Sequence, residues 1–310
     1  MKHLFILNPA AGKQDRTAAL TAMIQHKFAG RDYEIQISRA PGDCRAIAYA
    51  AAARGDSVRL YACGGDGTLN EVVDGAADFP NASVTCFPVG SGNDFIRIFS
   101  DPGAFFDLDR LLDCETAKFD LIRCNNHYSL NICSVGLDAR IGTAIARYKR
   151  LPFVSGSGAY LLSTIVNVLR GVHRPLSLKI DGQSFSGRYT LVCICNGRFY
   201  GGGFHPVPDA EPDDGLLDVL LIDSVSRLTV ATVISRYKVG RYRDFPSLIH
   251  HFRCKTMEIH SENLLSVNLD GELLRTNTVE IQVCPAQISF FYPRGLQYHT
   301  SAPQIVSNSV

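Results

Sequence analysis

Short apolar runs alternate with helix-like stretches along the first third of the chain. Residues 3–7 (HLFIL) read as a strand and residues 17–28 as a helix; residues 33–37 (YEIQI) read as a second strand, followed by an alanine-rich helix ending near residue 54. The alternation then repeats. Residues 58–63 run into GGDGT and a helix over LNEVVDGAA, while residues 84–89 (VTCFPV) run into GSGND and a further helical segment, FIRIF. Strands separated by helices imply right-handed crossovers and a parallel sheet. The four strand-to-helix loops, beginning near Asn8, Ser38, Gly64 and Gly90, would share the carboxyl edge of that sheet, where open α/β sheets bind ligands.

From about Lys118 the texture changes. The runs FDLIRC, HYSLNIC, LSLKI, YTLVCICN, LLDVLLID, TMEIH, LLSVNL, VEIQVC and ISFFY follow one another, separated by turn signals such as Asp181-Gly182. They predict an antiparallel β-sandwich, interrupted by helical segments at residues 159–169 and 226–239. The expected fold class is therefore α/β plus β: a parallel-sheet nucleotide-binding domain over residues 1–117, a β-sandwich domain over 118–292, and a polar tail over 293–310 that returns to the first domain.

Composition narrows the function classes. The 310 residues are 46% hydrophobic and 20% charged, which excludes a disordered or supercharged chain. Thirty-one Lys and Arg against thirty Asp and Glu leave a net charge of +1, so no bulk field favours nucleic acid and a charged ligand must be held locally. None of the ten cysteines forms a C-x-x-C pair, which argues against a zinc module or a redox dithiol; they read as small buried hydrophobes in a reducing compartment. The apolar stretch near the start is too short for a signal-peptide core, and no run approaches 18 apolar residues. The expected location is cytoplasmic.

The candidate chemistry sits in the glycine loops. In Leu60 to Thr68, glycines let the backbone approach an anion, the following helix start points N–H groups at it, and Asp66 can reach a magnesium ion among phosphates. A tight turn with Asp66 as helix cap is the plainer alternative. The loop Gly90-Ser91-Gly92-Asn93-Asp94 repeats the design, with Asp94 as the alternative cap. Asn8 to Lys13 resembles part of a P-loop but lacks the upstream glycine and carries Gln14 where Ser or Thr would hold magnesium. The acidic run from Asp209 to Asp218 is dense enough for a hard cation, although its spacing is not that of an EF-hand and a solvated turn is the alternative. Gly201-Gly202-Gly203 suggests a flexible approach to that run.

NPAAGK, GGDGTLNEVV, PVGSGNDFIR, SVGLDA at 134–139 and LDGEL at 269–273 together resemble the diacylglycerol kinase catalytic family, most closely its compact soluble bacterial lipid kinases. GGDGT alone also occurs in NAD kinases, whose fold the first domain would share. The resemblance implies transfer of phosphate from ATP, with Mg2+, to a lipid hydroxyl in a cleft between the two domains. It implies nucleotide contacts from Asn8, Pro9, Ala10, Ala11, Gly12, Ser38, Gly64, Gly65, Asp66, Gly67, Thr68, Leu69 and Ser91, with Asn93 and Asp94 in the phosphate and metal network. Glu71 belongs to the motif but is also read as structural. Glu272 matches the family's proposed general base, with Asp66 the rival. A structural magnesium is implied at Asp214, Glu211 and Leu216, the last through its backbone oxygen.

The lipid partner directs attention to Arg147, Lys149 and Arg150 beside residues 151–153, and to the apolar residues 160–169 ending at Arg170. These form either a basic rim for peripheral contact with an anionic membrane or a buried helix with a basic cap. The expected acceptor is diacylglycerol or a similar lipid, giving phosphatidic acid. A sphingoid base, polyprenol or phosphatidylglycerol is the alternative acceptor, and a catalytically silent nucleotide- and lipid-binding regulator the alternative class. Oligomeric state does not follow from the sequence, and a homodimer stays open.

Overall fold

A computed structural model describes residues 1–90, 92–136 and 174–299. The first third folds as β1 (Lys2–Leu7), α1 (Thr17–Lys27), β2 (Tyr33–Ile37), α2 (Asp43–Ala52), β3 (Val58–Gly64), α3 (Asp66–Ala76) and β4 (Ala82–Pro88). β1 pairs in parallel with β2 and β3, and β3 with β4. Residues 4–7 and 60–63 are buried whichever face they point to, which explains why these strands read as unbroken apolar runs. In the order β4-β3-β1-β2 the chain leaves β1 toward one side and returns to β3 on the other. The loops after β1 and β3 therefore diverge and leave a crevice at the carboxyl end of the sheet. FIRIF forms only a 3-10 turn, Phe95–Ile98, instead of a longer helix. Phe95 and the following Phe99 are drawn into an aromatic cluster with Phe119 and Phe290.

After α4 (Leu108–Leu112) come β5 (Cys114–Cys124), β6 (His127–Ser129), β7 (Ile132–Gly136), β8 (Arg174–Ile180), β9 (Gln183–Cys195) and β10 (Leu217–Asp223). Then follow α5 (Arg227–Tyr237), β11 (Ile249–Cys254), β12 (Thr256–Leu269) and β13 (Glu272–Pro293). Asp181 and Gly182, both at positive φ (42° and 88°), turn β8 into β9 as their sequence suggests. Val192, Ile194, Val219, Leu221 and Val267 point into one apolar cluster among these strands. The alternate residues Leu191, Cys193, Leu220 and Ile222 point into another, closed by Val233 and Tyr237 of α5. β9 and β10 are thus covered on both faces.

Several strands differ from their sequence reading for identifiable reasons. TMEIH and LLSVNL lie on one strand, β12, and VEIQVC and ISFFY on another, the 22-residue β13. Register shifts between His260 and Leu265 and between Cys284 and Ile288 break the alternation without ending the pairing. Conversely HYSLNIC divides into β6 and β7, because the N–H groups of Asn131 and Ile132 leave the ladder for the side chain of Asp270. β11 was not expected; its sequence IHHFRC carries no clear alternation. Its histidines pair with carboxylates, His250 with Asp223 at 2.9 Å and His251 with Asp218 at 2.6 Å.

β13 joins the two halves. Its Val279, Ile281 and Val283 lie in the core of the second half, whereas Phe290 and Phe291 lie in the core of the first. Ser289 and Phe290 pair in parallel with Ser83 and Val84 of β4, and Leu296 and Tyr298 pack on the same core. The cysteines are free thiols, mostly buried. Among the described residues, no helix is long and apolar enough to cross a membrane. Ser91, residues 137–139 of SVGLDA, the residues 147–170 read as a basic rim and apolar segment, and residues 300–310 of the expected tail lie outside the described residues.

Candidate active site

Loop contacts at the carboxyl end of the parallel strands draw three glycine segments together. Asn8 Nδ2 donates to Thr68 Oγ1 at 2.9 Å, and Asn8 Oδ1 accepts from the Ala10 N–H at 3.0 Å, so one side chain both folds its own loop and ties it to α3. The N–H groups of Val89 and Gly90 donate to the Gly64 carbonyl at 2.9 and 3.2 Å. Gly12 has φ +82°, and a Cβ there would lie 2.6 Å from the Val89 carbonyl oxygen. Gly12→Ala is expected to destabilise the protein by about 1–3 kcal/mol, because the strained backbone and the neighbouring loop would both have to shift. Urea denaturation measures this; unchanged stability would show that the loops are not held in this contact. Ser38 ends β2, buried, with its N–H on the Leu7 carbonyl at 2.9 Å.

Asp66 and Asp94 meet beneath these loops. The Asp94 N–H donates to Asp66 Oδ1 at 2.5 Å, and a Cβ on Gly92 would strike Asp66 Oδ2. Asp94 stands at the N-cap of the Phe95–Ile98 turn and Asp66 one residue inside α3, but neither element has a side-chain cap bond. Asp94 Oδ2 instead accepts from the Gly202 N–H at 2.7 Å. Asp94 Oδ1 is buried without a hydrogen bond, faced by Arg97 Nε at 3.5 Å. Burial raises both carboxyls above their ordinary range, and the charge of Asp66 raises Asp94 further. Two desolvated carboxylates, one with an oxygen that accepts no hydrogen bond, form a hard-oxygen donor set that fits a divalent cation beside phosphates. Gly64, Gly65, Asp66 and Asn93 also line a small cavity, and Asn93 closes its loop by donating from Nδ2 to the Gly90 carbonyl.

Glu272 is presented by the Asp270-Gly271 turn. Leu269 pairs with Glu272, and the two residues between them have φ of 48° and 102°, a tight hairpin. The hairpin reading of Asp-Gly and a functional reading of Glu272 thus describe the same feature. Asp270 pins the turn, accepting from Ser129 Oγ at 2.7 Å and from the N–H groups of Asn131 and Ile132 at 2.8 and 2.7 Å. Burial still pushes its carboxyl up to about 6, with the charge of Asp66 adding to the effect. Burial likewise pushes Glu272 from 4.5 up to about 7; Glu71 and Asp74 add to the rise, while Arg45 and His127 oppose it. Glu71 itself is structural, its carboxylate accepting the N–H groups of Gly42 and Cys44 at the start of α2, both at 3.1 Å.

The acidic run differs from expectation. Glu211 Oε2 accepts from buried Arg198 at 2.8 Å, and Asp214 accepts from Arg253 and from the Leu216 N–H. That bond uses the Leu216 N–H and leaves its backbone oxygen out, and among the described residues the ligand atoms that gather within 4.8 Å of one another are those of Glu211, Asp213 and His299. Guanidinium groups thus face both Glu211 and Asp214, while Glu211 also stands in the carboxylate–histidine group just named. Gly202 serves Asp94 rather than the acidic run. A larger recess of about 350 Å³, lined by Lys2, Asp32, Glu34 and Arg54 among others, lies at the opposite, amino end of the strands. Sequence reasoning gave no role to Asp74, His127 or Arg97, and read Asp270 with Gly271 only as a turn, because their contacts lie on distant segments or on loops that carry no spacing signal.

The diacylglycerol kinase catalytic domain model matches residues 2–124, and the YegS C-terminal NAD kinase beta sandwich-like domain model matches residues 131–292, more than half of the chain. Putative lipid kinase SAS0691 of Staphylococcus aureus (strain MSSA476) is 26% identical over 293 residues, covering 93% of each chain. The crystal structure of a "putative diacylglycerol kinase" from Bacillus anthracis str. Sterne superposes with a TM-score of 0.74 at 26% identity, covering 94% of this chain and 96% of that one. A second diacylglycerol kinase structure from that organism, at 23% identity and a TM-score of 0.67, shares the fold. Matches that run through both halves, with the glycine loops in the first and the Glu272 turn in the second, make this chain a member of the diacylglycerol kinase catalytic family in its bacterial lipid kinase form.

Proposed function

We propose that the protein is an ATP- and magnesium-dependent lipid kinase that phosphorylates the free hydroxyl of diacylglycerol or a similar lipid, yielding phosphatidic acid from diacylglycerol. The observation that carries this reading is Glu272, a carboxyl pushed up to about 7 on a pinned turn, in the electrostatic neighbourhood of the helix that starts at Asp66. A base poised near working pH is what removal of a proton from an alcohol requires.

In this reading Asn8 to Gly12, Ser38, Gly64 to Leu69, Ser91 and Asn93 hold the nucleotide, with the glycines letting the backbone come close to the phosphates. Asp66 and Asp94 hold the magnesium ion, which when bound supplies neutralising charge among the phosphates. Glu272 accepts the hydroxyl proton as the lipid oxygen forms its bond to the γ-phosphorus and the bond from that phosphorus to the bridging oxygen of ADP breaks. Asp66 is the weaker candidate for the base, since its Oδ1 already accepts the Asp94 N–H and it sits against a second carboxylate. The acceptor is a membrane lipid, so the protein works as a peripheral visitor to the cytoplasmic membrane face.

Purified protein incubated with magnesium, ATP and a total lipid extract, with products identified by mass spectrometry, tests this. The expected product is phosphatidic acid. Phosphate found instead on a sphingoid base, polyprenol or phosphatidylglycerol would reassign the acceptor. Binding of ATP and lipid without turnover would make the protein a regulator.

A further inference from the structure

The segment from His127 to Ile132 touches two aspartates that belong to different halves of the molecule. At its start, the Tyr128 N–H donates to Asp74 Oδ1 at 2.8 Å, and His127 Nδ1 lies 3.2 Å from Asp74 Oδ2. Arg45 Nη1 donates to that same oxygen at 3.2 Å and also lies 3.1 Å from His127 Nδ1. Tyr128 adds a bond from its hydroxyl to Asp78 at 2.8 Å. At the other end, Ser129, Asn131 and Ile132 all donate to Asp270, the residue that fixes the turn before Glu272. A continuous path of hydrogen bonds therefore runs from α3, which begins at Asp66, through Asp74 and this segment to the Glu272 turn.

The same residues surround Glu272 with charge. Glu71 and Asp74 of α3 bear on it as anions, Arg45 of α2 and His127 of β6 oppose them, and Asp270 shares its turn. Side chains of Arg45 and His127 are 45% and 35% exposed, so neither is required to fill a core, whereas Asp74 is nearly buried at 8%. A buried anion holding two exposed basic groups in fixed positions is an arrangement whose effect falls on the nearest titrating group.

Resting on the reading of Glu272 as the base, we propose that Asp74, Arg45 and His127 are its positioning residues. Asp74 locks the segment beneath the Glu272 turn to the helix that starts at Asp66 and fixes Arg45 and His127 in the charged surroundings of Glu272. Phosphoryl transfer needs the acceptor's base at a fixed distance from the nucleotide loops, and this path supplies the fixed distance from within one lobe to the other.

The test compares pH–rate profiles of the full-length wild type with those of Arg45→Gln, Arg45→Lys, Asp74→Asn and Glu272→Gln. Glu272 must be ionised to act, so loss of a neighbouring cation moves the acid limb of kcat to higher pH and loss of a neighbouring anion moves it to lower pH. Arg45→Gln is expected to shift the limb up by about 0.5 pH unit, roughly threefold in proton affinity, and Asp74→Asn to shift it down by a similar amount. Arg45→Lys should restore the wild-type limb, and KM for ATP should be unchanged throughout. Carbon-13 titration of glutamate-labelled protein, with the Glu272 signal assigned by its loss in Glu272→Gln, should show the same opposite displacements without reference to turnover. Limbs that stay at the wild-type position, or move in one direction for both variants, overturn the proposal if Glu272→Gln is inactive. Full activity in Glu272→Gln overturns the base reading itself.

Discussion

Glu272→Gln is expected to lower kcat by roughly 10²–10⁴-fold, the usual contribution of a positioned general base, while ATP affinity stays unchanged. Glutamine keeps the shape and hydrogen-bonding capacity of the side chain but cannot accept the hydroxyl proton. In the wild type, kcat should fall about tenfold per pH unit below about 7, because protonation removes the base. Stability should move the other way. A carboxyl raised from 4.5 to about 7 binds its proton more tightly in the folded protein than in the unfolded chain. Its stabilising contribution is full below 4.5 and is lost as pH climbs through about 7. The variant should therefore melt above the wild type at pH 8 and near it at pH 4. Paired kinetics and thermal melts at those pH values measure both effects, and a variant with wild-type turnover would return the base role to Asp66.

Asp94→Asn is expected to lower kcat/KM for magnesium-ATP by about 100-fold, ~2.7 kcal/mol at 1.36 kcal/mol per decade. The cause is specific: Asp94 Oδ1 is a buried oxygen with no hydrogen bond, faced by Arg97 Nε at 3.5 Å. Neutralising it removes half of the anionic pair with Asp66. Without ligand the variant should be more stable than the wild type near neutral pH, since two desolvated carboxylates no longer repel. With magnesium-ATP the order should reverse. Ligand at 100 times its Kd stabilises a protein by about 2.7 kcal/mol, so the wild type gains a thermal shift that the variant lacks at the same concentrations. A full wild-type shift in Asp94→Asn would remove Asp94 from the metal network.

Stability gained on removal of a residue, together with activity lost, is the mark of a group kept for function. Arg198 and Glu211 show the contrasting case. There a buried guanidinium meets its carboxylate at 2.8 Å, and the pair explains itself as structure. In the acidic run, sequence shows the carboxylates and not the arginines that fold back onto them.

The local code was readable where its cause is local. Hydrophobic runs placed β1 to β4 within a residue or two, because β1, β3 and β4 are buried almost throughout and β3 and β4 end at a glycine and a proline. Asp181-Gly182 and Asp270-Gly271 were legible as turns, since few residue pairs tolerate two successive positive φ values. The glycine loops, and the order of motifs that marks the family, were equally plain. Contacts between distant segments were not. β12 and β13 each read as two strands because a register shift disrupts alternation while leaving the ladder intact. That Gly202 would reach Asp94, and that Asp74 would stand two hydrogen-bonded steps from the Glu272 turn, has no counterpart in spacing. The sequence by itself determined β1 to β4, the glycine loops and the family. Only the tertiary structure decided which carboxylates are desolvated, which are neutralised by arginine and which is left poised near neutrality, because proton affinity depends on burial and on charges brought close by folding rather than on neighbours along the chain.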